Sequence, residues 1–207
     1  MNIPRELASG LSEPGSRREA GLKAVAGVFV GGPGVRMGGR PKGLLRGPDG
    51  STLVERWRAM LAELGVPVVL VGEAEAYEGL GLPMLKDEPP GVGPLGGLVA
   101  LLRHAGAAPA LAFACDMPFV SRALVERLLA APSDAPIVAP RRDARWEPLC
   151  ARYDAARVLP LAVARAASPY HSLKRLLDDA GAAALPLLPH EDAELRDWDS
   201  PSDVTAS

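Results

Sequence analysis

Cysteines, aromatic side chains and long apolar runs are scarce in this chain of 207 residues. Its two cysteines, Cys115 and Cys150, lie far apart without metal-ligand spacing, so we expect reduced thiols rather than a disulfide framework or a zinc site. No apolar run approaches the roughly 20 residues of a membrane-spanning helix. The amino terminus also lacks the apolar segment of a signal peptide. These absences predict a cytoplasmic protein with no membrane partner.

The chain also carries little net charge. Its 23 Lys and Arg residues are offset by 25 Asp and Glu residues, which leaves a net charge of −2 at pH 7. Because nonspecific nucleic-acid binding needs a basic surface, we expect no nucleic-acid partner. Hydrophobic residues make up 48% of the chain and aromatic residues only 4%, so the core should be mainly aliphatic.

The length and the composition together predict one folded domain. Residues 1–22 are rich in Ser, Pro, Gly, Arg and Glu and show no sustained hydrophobic period, which is typical of a disordered extension. Residues 23–207 are predicted to form a single domain with a core of ordinary size.

A glycine-rich stretch follows the first apolar run. Residues 24–30 are rich in valine and predict a strand buried on both faces. Six of the next thirteen residues are glycine, and Arg36 and Lys42 lie among them. Glycines let backbone N–H groups approach an anion closely, and the cations add positive charge. The stretch is therefore either a phosphate-binding loop or a flexible surface turn with two solvated cations.

Two common phosphate-binding loops do not fit this stretch. A Walker loop needs Gly-Lys-Ser/Thr, whereas Lys42 follows Pro41 and precedes Gly43. The dinucleotide fingerprint G-x-G-x-x-G would begin at Gly32 and would require glycine where Met37 stands. The sequence therefore excludes both motifs at this position.

The order of the predicted elements indicates the fold class. The first half has four predicted strands that alternate with helices, at residues 24–30, 66–71, 83–86 and 110–115. The less regular second half has three more, at residues 137–140, 147–152 and 185–188. We predict an α/β fold: a three-layer, mostly parallel, Rossmann-like sheet with helices on both faces and a smaller antiparallel element in the second half.

Some local signals are more specific. Thr52 and Glu55 have the spacing of a capping box and predict the start of a helix. Residues 89–97 are dense in glycine and proline and predict a loop before the next helix. A helix that begins at Asp154 is expected to kink or break near Pro160.

Two aspartates follow predicted strands, as the glycine-rich stretch does. Because the carboxyl ends of parallel strands meet at one edge of a sheet, Asp87, Asp116 and the glycine-rich stretch should lie together there. Asp116 is well placed to hold Mg²⁺, which binds one or two carboxylates and the phosphates of a substrate. The alternative is that each is a turn aspartate, since Pro118 and Pro89 follow closely.

The motifs resemble those of one family. The stretch G-G-x-G-x-R-M-G-G-x-x-K-G-L-L resembles the signature loop of the molybdenum cofactor guanylyltransferases, which are nucleotidyltransferases with a glycine-rich first loop. Asp116 in F-A-C-D-M-P-F resembles the metal-binding C-D-x-P-[FY] motif of that family, and Asp87 occupies the place of an aspartate that helps to hold the nucleotide. Residues 199–201 resemble its closing D-x-[DN]-T-P segment.

This resemblance implies an Mg²⁺-dependent enzyme that transfers GMP from GTP to the phosphate of a molybdopterin-type cofactor and releases pyrophosphate. It implies catalytic roles for Lys42, Arg36 and Asp116, with Asp116 as the metal ligand. The nucleotide-binding residues that it implies are Phe29, Val30, Gly31, Gly32, Lys42, Asp87 and Asp116. It also implies transient contacts with molybdenum-cofactor biosynthesis proteins or acceptor enzymes.

The sequence departs from the family pattern at three positions. Val30 stands where alanine is usual, Pro33 removes one amide donor, and Pro41 replaces the usual acidic residue before the lysine. Two alternatives therefore stay open: a transferase that uses CTP or another phosphorylated acceptor, and a cofactor-binding chaperone without turnover. The glycine pair Gly31-Gly32 favours the guanylyl branch over the cytidylyl relatives.

Overall fold

The computed structural model of the chain describes residues 23–31, 41–47, 49–73 and 75–198. The strands are β1 (Val25–Phe29), β2 (Val68–Val71), β3 (Met84–Leu85), β4 (Pro109–Ala114), β5 (Ile137–Arg142), β6 (Arg145–Trp146), β7 (Cys150–Asp154) and β8 (Ala183–Leu185). The α-helices are α1 (Leu53–Glu63), α2 (Pro94–Ala105), α3 (Arg122–Ala130), α4 (Ala155–Ala166), α5 (Leu173–Asp179) and α6 (Glu191–Glu194). Short 3₁₀ helices lie at Lys42–Leu44 and Glu75–Leu80. Within these ranges no helix has both the length and the apolar character needed to cross a bilayer.

The strands form one mixed sheet in the order β3-β2-β1-β4-β7-β5-β6, with β8 paired to β5. Strand β1 pairs in parallel with both β2 and β4, and β2 pairs in parallel with β3. Strand β7 then runs antiparallel to both of its neighbours, β4 and β5. The predicted α/β fold, with a parallel first half and an antiparallel element in the second, is confirmed.

Helices cover both faces of the sheet because successive strand side chains point to opposite sides. In β4, Ala110 and Ala112 contribute to the core beneath α2, α4 and α5. Leu111 and Phe113 contribute to the opposite core, beneath α1 and α3. There Phe113 stacks on Trp57 of α1, with ring centroids 4.4 Å apart. Each face is therefore buried under its own helical layer.

The start of α1 follows the sequence prediction. The Thr52 side chain accepts a hydrogen bond from the Glu55 N–H at 3.2 Å, and the Thr52 N–H donates to Glu55 Oε2 at 2.7 Å. This reciprocal pair is the predicted capping box. It fixes the entry to α1 just after the segment that carries Lys42.

Helix α2 begins inside the stretch predicted as a loop, at Pro94. Proline is tolerated at a first helical position because its missing N–H would be unpaired there. The following glycines are required by packing. A Cβ at Gly96 would lie 2.5 Å from the Pro89 carbonyl oxygen, and one at Gly97 would lie 2.6 Å from Val71 Cγ1. The helix therefore packs directly under the loop and β2.

Two predicted strands have different bounds. The strand predicted at residues 147–152 begins only at Cys150, because residues 147–149 form a turn in which the Cys150 N–H donates to the Glu147 carbonyl at 3.1 Å. The Glu147 N–H still donates to the Pro140 carbonyl of β5 at 3.0 Å, and the end of β5 pairs with β6, where Arg141 lies opposite Trp146. Strand β8 ends at Leu185, three residues earlier than predicted, because Pro186 has no N–H to continue the ladder.

The helix that was predicted to kink or break near Pro160 does not break there, since α4 runs through that position from Ala155 to Ala166. Pro160 is exposed, so the carbonyl group left without its partner can face water. The opposite side of α4 buries Val158, Ala162 and Ala166 in the core shared with α2. This packing keeps the helix continuous.

Candidate active site

Lys42 and Asp116 form an ion pair at the carboxyl edge of the parallel strands. Lys42 Nζ donates to Asp116 Oδ2 at 2.7 Å, although the two residues are 74 positions apart. Their side chains are 22% and 18% exposed, so the pair is largely shielded but open on one side. The fold therefore brings the lysine at the end of the glycine-rich stretch into contact with the aspartate after β4.

Main-chain hydrogen bonds hold Asp116 on both sides. The Cys115 N–H donates to the Phe29 carbonyl at 3.1 Å, which extends the β1–β4 pairing one residue beyond the end of β4. The Asp116 carbonyl accepts from the Trp198 N–H at 2.8 Å. Burial raises the pKa of the Cys115 thiol to about 12, and the charge on Asp116 adds to this effect. Cys115 is therefore an inert core thiol that supports the strand end.

Lys42 begins a tight 3₁₀ turn that is fixed by its neighbours. The Leu44 N–H donates to the Pro41 carbonyl and the Leu45 N–H to the Lys42 carbonyl, both at 3.0 Å. Gly43 lies in the middle, and its N–H donates to the Tyr77 hydroxyl at 3.1 Å. A Cβ at Gly43 would lie 2.7 Å from Val54 Cγ2, so a side chain there would displace the turn.

The ends of β1 and β2 stay in contact beyond the strands. The Val30 N–H donates to the Val71 carbonyl at 2.9 Å. Gly72 follows with φ +106°, and a Cβ there would lie 2.8 Å from both the Cα and the nitrogen of Gly31. Only glycine fits at Gly72. This close approach leaves the Gly31 backbone exposed at the edge where Asp116 lies.

Phe29 and Val30 occupy a different environment from the one expected of ligand-contacting side chains. Both are buried, Phe29 in the core beneath α2 and Val30 in the core beneath α1. They can support a bound nucleotide through main-chain position, with little side-chain surface to offer. Their predicted nucleotide-binding role stays a prediction.

Asp87 lies two residues after β3, at the same edge of the sheet as Gly31 and Asp116. Burial raises the pKa of its carboxyl group, and the nearby charge of Glu73 raises it further. A Cβ at Gly97 would lie 3.2 Å from Asp87 Oδ1, so the first turn of α2 packs against this carboxylate. The structure therefore gathers Gly31, Lys42, Asp87 and Asp116 along one edge.

Other predicted residues lie outside the described ranges. Arg36 and Gly32 fall in residues 32–40, and the closing motif falls in residues 199–201. Their roles stay predictions.

The donor set along the edge suits a hard cation that takes few protein ligands. Within the ranges that the structure describes, no group of three or more His, Cys, Asp and Glu side chains could enclose a metal. Asp116 offers a carboxylate that is already held beside a positive charge. Mg²⁺ characteristically uses one or two carboxylates and completes its shell with water and phosphate oxygens. The residues present fit that ligand.

Three residues at the edge were not found from the sequence. Gly72 could have been noticed, because a glycine directly after a buried strand indicates a close backbone approach. Tyr77 and Trp198 carried no such signal, since one contacts Gly43 through its hydroxyl and the other contacts Asp116 through its main chain. Contacts of this kind depend on the folded arrangement and leave no periodic pattern.

Comparison with known proteins identifies the family of the chain. Residues 26–184 match the family model described as a MobA-like NTP transferase domain. A "Probable molybdenum cofactor guanylyltransferase" from Clostridium perfringens is 33% identical over 132 residues, which are 64% of this chain and 66% of that relative. One of the same name from Mycobacterium bovis is 39% identical over 123 residues, which are 56% of this chain and 61% of that relative.

A solved structure with a similar fold is molybdopterin-guanine dinucleotide biosynthesis protein A from Archaeoglobus fulgidus. The TM-score is 0.73 with 23% identity, and the alignment covers 87% of this chain and 95% of that one. Because the identity is only 23%, this similarity shows a shared fold and no more.

Proposed function

The chain belongs to the MobA-like NTP transferase domain family, and from this premise we propose that it transfers GMP from GTP to the terminal phosphate of a molybdopterin-type cofactor. The phosphate oxygen of the acceptor attacks the α-phosphorus of GTP, and the bond to the β-phosphate oxygen breaks to release pyrophosphate. The observation that carries this proposal is the Lys42–Asp116 pair, 2.7 Å apart at the carboxyl edge of the sheet. The names of the two curated relatives support the choice of substrates.

The chain has to neutralise and align two anions, and Lys42 supplies fixed charge for this. Its ammonium group is anchored by the turn at Lys42–Leu44 and is partly exposed, so it can meet phosphate oxygens as well as Asp116. Arg36 is assigned a second contact with the phosphates. Charge that is preorganised in this way stabilises the charge that develops as the bond to the α-phosphorus breaks.

The reaction needs no strong general base from the protein. A phosphate monoester has a second pKa of about 6, so the acceptor is largely dianionic at pH 7. The main work of the residues is therefore positioning and electrostatic stabilisation, as in other phosphoryl transfers.

We assign Asp116 as the protein ligand of Mg²⁺ and Asp87 to the nucleotide. When bound, Mg²⁺ would be held by the Asp116 carboxylate and would supply positive charge toward the phosphates of the nucleotide. The Lys42 ammonium, which lies beside Asp116, would add a second positive charge at the same edge. Phe29, Val30, Gly31 and Gly32 are assigned to the wall that carries the nucleotide.

We also propose that the protein contacts other molybdenum-cofactor biosynthesis proteins or acceptor enzymes to deliver its product, which requires the carboxyl edge to remain accessible after transfer.

A nucleotide panel tests the proposed function. Pyrophosphate release is measured with GTP, CTP, ATP or UTP, with and without Mg²⁺ and molybdopterin, and Lys42→Ala serves as the matched control. We expect release only when GTP, Mg²⁺ and the acceptor are all present. Preference for CTP would reject the guanylyl assignment, and tight cofactor binding without release of pyrophosphate would favour the chaperone alternative.

Binding gives a second measurement. A ligand that binds only the native state stabilises it by RT ln(1 + [L]/Kd), about 2.7 kcal/mol at a concentration 100 times Kd. With Mg²⁺ present, GTP should raise the melting temperature far more than CTP, ATP or UTP. A larger shift with CTP would contradict the proposal.

A further inference from the structure

Tyr77 lies directly behind the turn that carries Lys42. It belongs to the 3₁₀ helix Glu75–Leu80, and its side chain is 1% exposed. Its hydroxyl oxygen accepts a hydrogen bond from the Gly43 N–H at 3.1 Å, across a separation of 34 positions. A residue outside every motif of the sequence therefore bonds to the residue next to Lys42.

Packing at Gly43 leaves this turn little freedom. The position that a Cβ would take at Gly43 is 3.1 Å from Tyr77 Cε1 and from the Tyr77 hydroxyl oxygen, and 2.7 Å from Val54 Cγ2 of α1. Gly43 is thus packed closely against both the Tyr77 ring and α1. Movement of the Tyr77 hydroxyl would move the main chain at Lys42 with it.

The hydroxyl also lies in the electrostatic field of the candidate site. Burial raises the pKa of Tyr77 to about 12, and the nearby charge of Asp116 raises it further. The phenol therefore stays protonated at neutral pH. In this neutral form its oxygen accepts the hydrogen bond from the Gly43 N–H.

We propose that Tyr77 is a positioning residue of the active site, whose hydroxyl fixes the Gly43 N–H and so aims the Lys42 ammonium at Asp116 and the transferring phosphates. The proposal rests on the function proposed for Lys42. Tyr77 itself contacts neither substrate nor metal, and it acts through the main chain of the turn.

Tyr77→Phe removes the hydroxyl and keeps the ring that packs on Gly43. We expect kcat to fall tenfold or more, since a misplacement of about 1 Å in an active site can cost about 10²-fold in rate. KM for GTP should stay within about twofold, because the contacts of the nucleotide with Gly31 and Asp87 are untouched.

The chain offers a matched control in Tyr153→Phe. Tyr153 is fully buried in β7, and its hydroxyl donates to the Pro148 carbonyl at 2.7 Å within the same segment. The control removes the same atom from a buried tyrosine that is bonded away from the Lys42 turn. We expect its kcat to remain near the wild-type value, and a tenfold loss in Tyr153→Phe as well would overturn the proposal.

A double-mutant cycle tests whether Tyr77 acts through Lys42. If it does, Tyr77→Phe should cost little further rate in the Lys42→Ala background, because the group that it positions is gone. A general effect of Tyr77→Phe on folding would instead make the losses of kcat in the two single variants additive. Full additivity would therefore overturn the proposal.

A measurement without substrate separates this proposal from the proposed function. The rate at which an amine-acetylating reagent modifies Lys42 is followed by mass spectrometry, with the exposed Lys174 of α5 as the internal reference. Tyr77→Phe should raise the Lys42 rate several-fold relative to Lys174, and Tyr153→Phe should not. An unchanged Lys42 rate overturns the positioning role. Failure of the wild-type protein to transfer nucleotide rejects the proposed function alone, and the labelling result then decides the role of Tyr77.

Discussion

The Trp198 N–H donates to the Asp116 carbonyl oxygen at 2.8 Å, so the end of the described chain is tied to the residue assigned to the metal. The Trp198 side chain is buried, and its ring meets Phe119 edge to face with centroids 6.2 Å apart. Phe119 itself lies three residues beyond Asp116. The segment after α6 and the loop after β4 therefore form one packed unit.

Trp198→Ala should weaken both the fold and the site. Loss of a buried Trp typically costs about 3–5 kcal/mol, and the anchor on Asp116 would loosen. We expect a lower urea midpoint and a higher Mg²⁺ concentration for half-maximal turnover. Trp146→Ala is the matched control, because Trp146 is also buried but lies in β6 with its Nε1–H bonded to Asp178. An equal change in Mg²⁺ dependence in both variants would count against the link to Asp116.

Asp116→Asn should abolish turnover and leave the fold intact. The amide keeps the shape of the side chain but loses the charge that attracts the cation. Steady-state pyrophosphate release and circular dichroism measure the two effects. Asp134→Asn, at an exposed position before β5, should behave as wild type. If Asp116→Asn keeps the wild-type rate and Mg²⁺ dependence, Asp116 is only a turn residue.

Lys42→Ala should reduce kcat more than it weakens GTP binding. Charge moves toward the leaving pyrophosphate as the bond breaks, and a contact that strengthens only in the transition state lowers kcat when it is removed. Loss of one such contact costs about 10²–10³ in rate. Lys42→Arg should recover little, since a planar guanidinium does not replace a compact ammonium beside Asp116. Unchanged kcat and KM in Lys42→Ala would place Lys42 outside the site.

Gly72→Ala should destabilise the protein by more than its backbone conformation alone explains. A positive φ disfavours alanine by about 1 kcal/mol, and the added Cβ would also lie 2.8 Å from Gly31. Gly50→Ala separates the effect of the positive φ from the effect of the close contact, because Gly50 has φ +79° but no atom lies within 4 Å of the added Cβ. Urea denaturation should show the larger loss for Gly72→Ala, with weaker GTP binding. Equal losses of stability in the two variants would mean that the Gly31 backbone moves away from the added Cβ without destabilising the protein further.

Glu191 should make the protein sensitive to acid. Burial alone raises the pKa of its carboxyl group, but hydrogen bonds from Arg127 and from the Leu188 N–H lower it below the ordinary value of 4.5. A carboxylate whose folded pKa is lowered adds stability above its unfolded pKa, and that stability is lost as the pH falls toward the folded pKa. The free energy of unfolding should therefore decrease with falling pH below 4.5. Glu191→Gln should have a lower free energy of unfolding at pH 7, and this free energy should depend less on pH below 4.5 than in the wild type. If the free energy of unfolding changes with pH identically in both proteins, Glu191 does not cause the acid sensitivity.

The layered fold and two of the principal site residues could be predicted from the sequence. Buried strands that alternate with capped helices place Asp116 at the carboxyl edge of β4, and the glycine-rich stretch places Lys42 after β1. That these two meet follows from the pairing of β1 with β4, which is expected in a parallel sheet of this kind.

The other features of the site and of the fold could not be predicted, because they depend on contacts between residues far apart in the sequence. Tyr77 contacts Gly43 across 34 positions in the chain, and it belongs to none of the sequence motifs. A kink or a break was expected near Pro160, yet α4 does not break, because the packing of Val158 and Ala162 against the sheet outweighs the loss of one hydrogen bond. In each case tertiary packing decided what the local pattern could not.

The position of β1 between β2 and β4 has a consequence for how the protein is made. Lys42 leaves the ribosome 74 residues before Asp116, its partner in the finished site. At a synthesis rate of about 5–20 residues per second, roughly 4–15 s pass between the two. During that interval the nascent chain carries Lys42 without the carboxylate that it pairs with in the folded protein. The Lys42–Asp116 pair therefore cannot form until more than half of the chain has been synthesised.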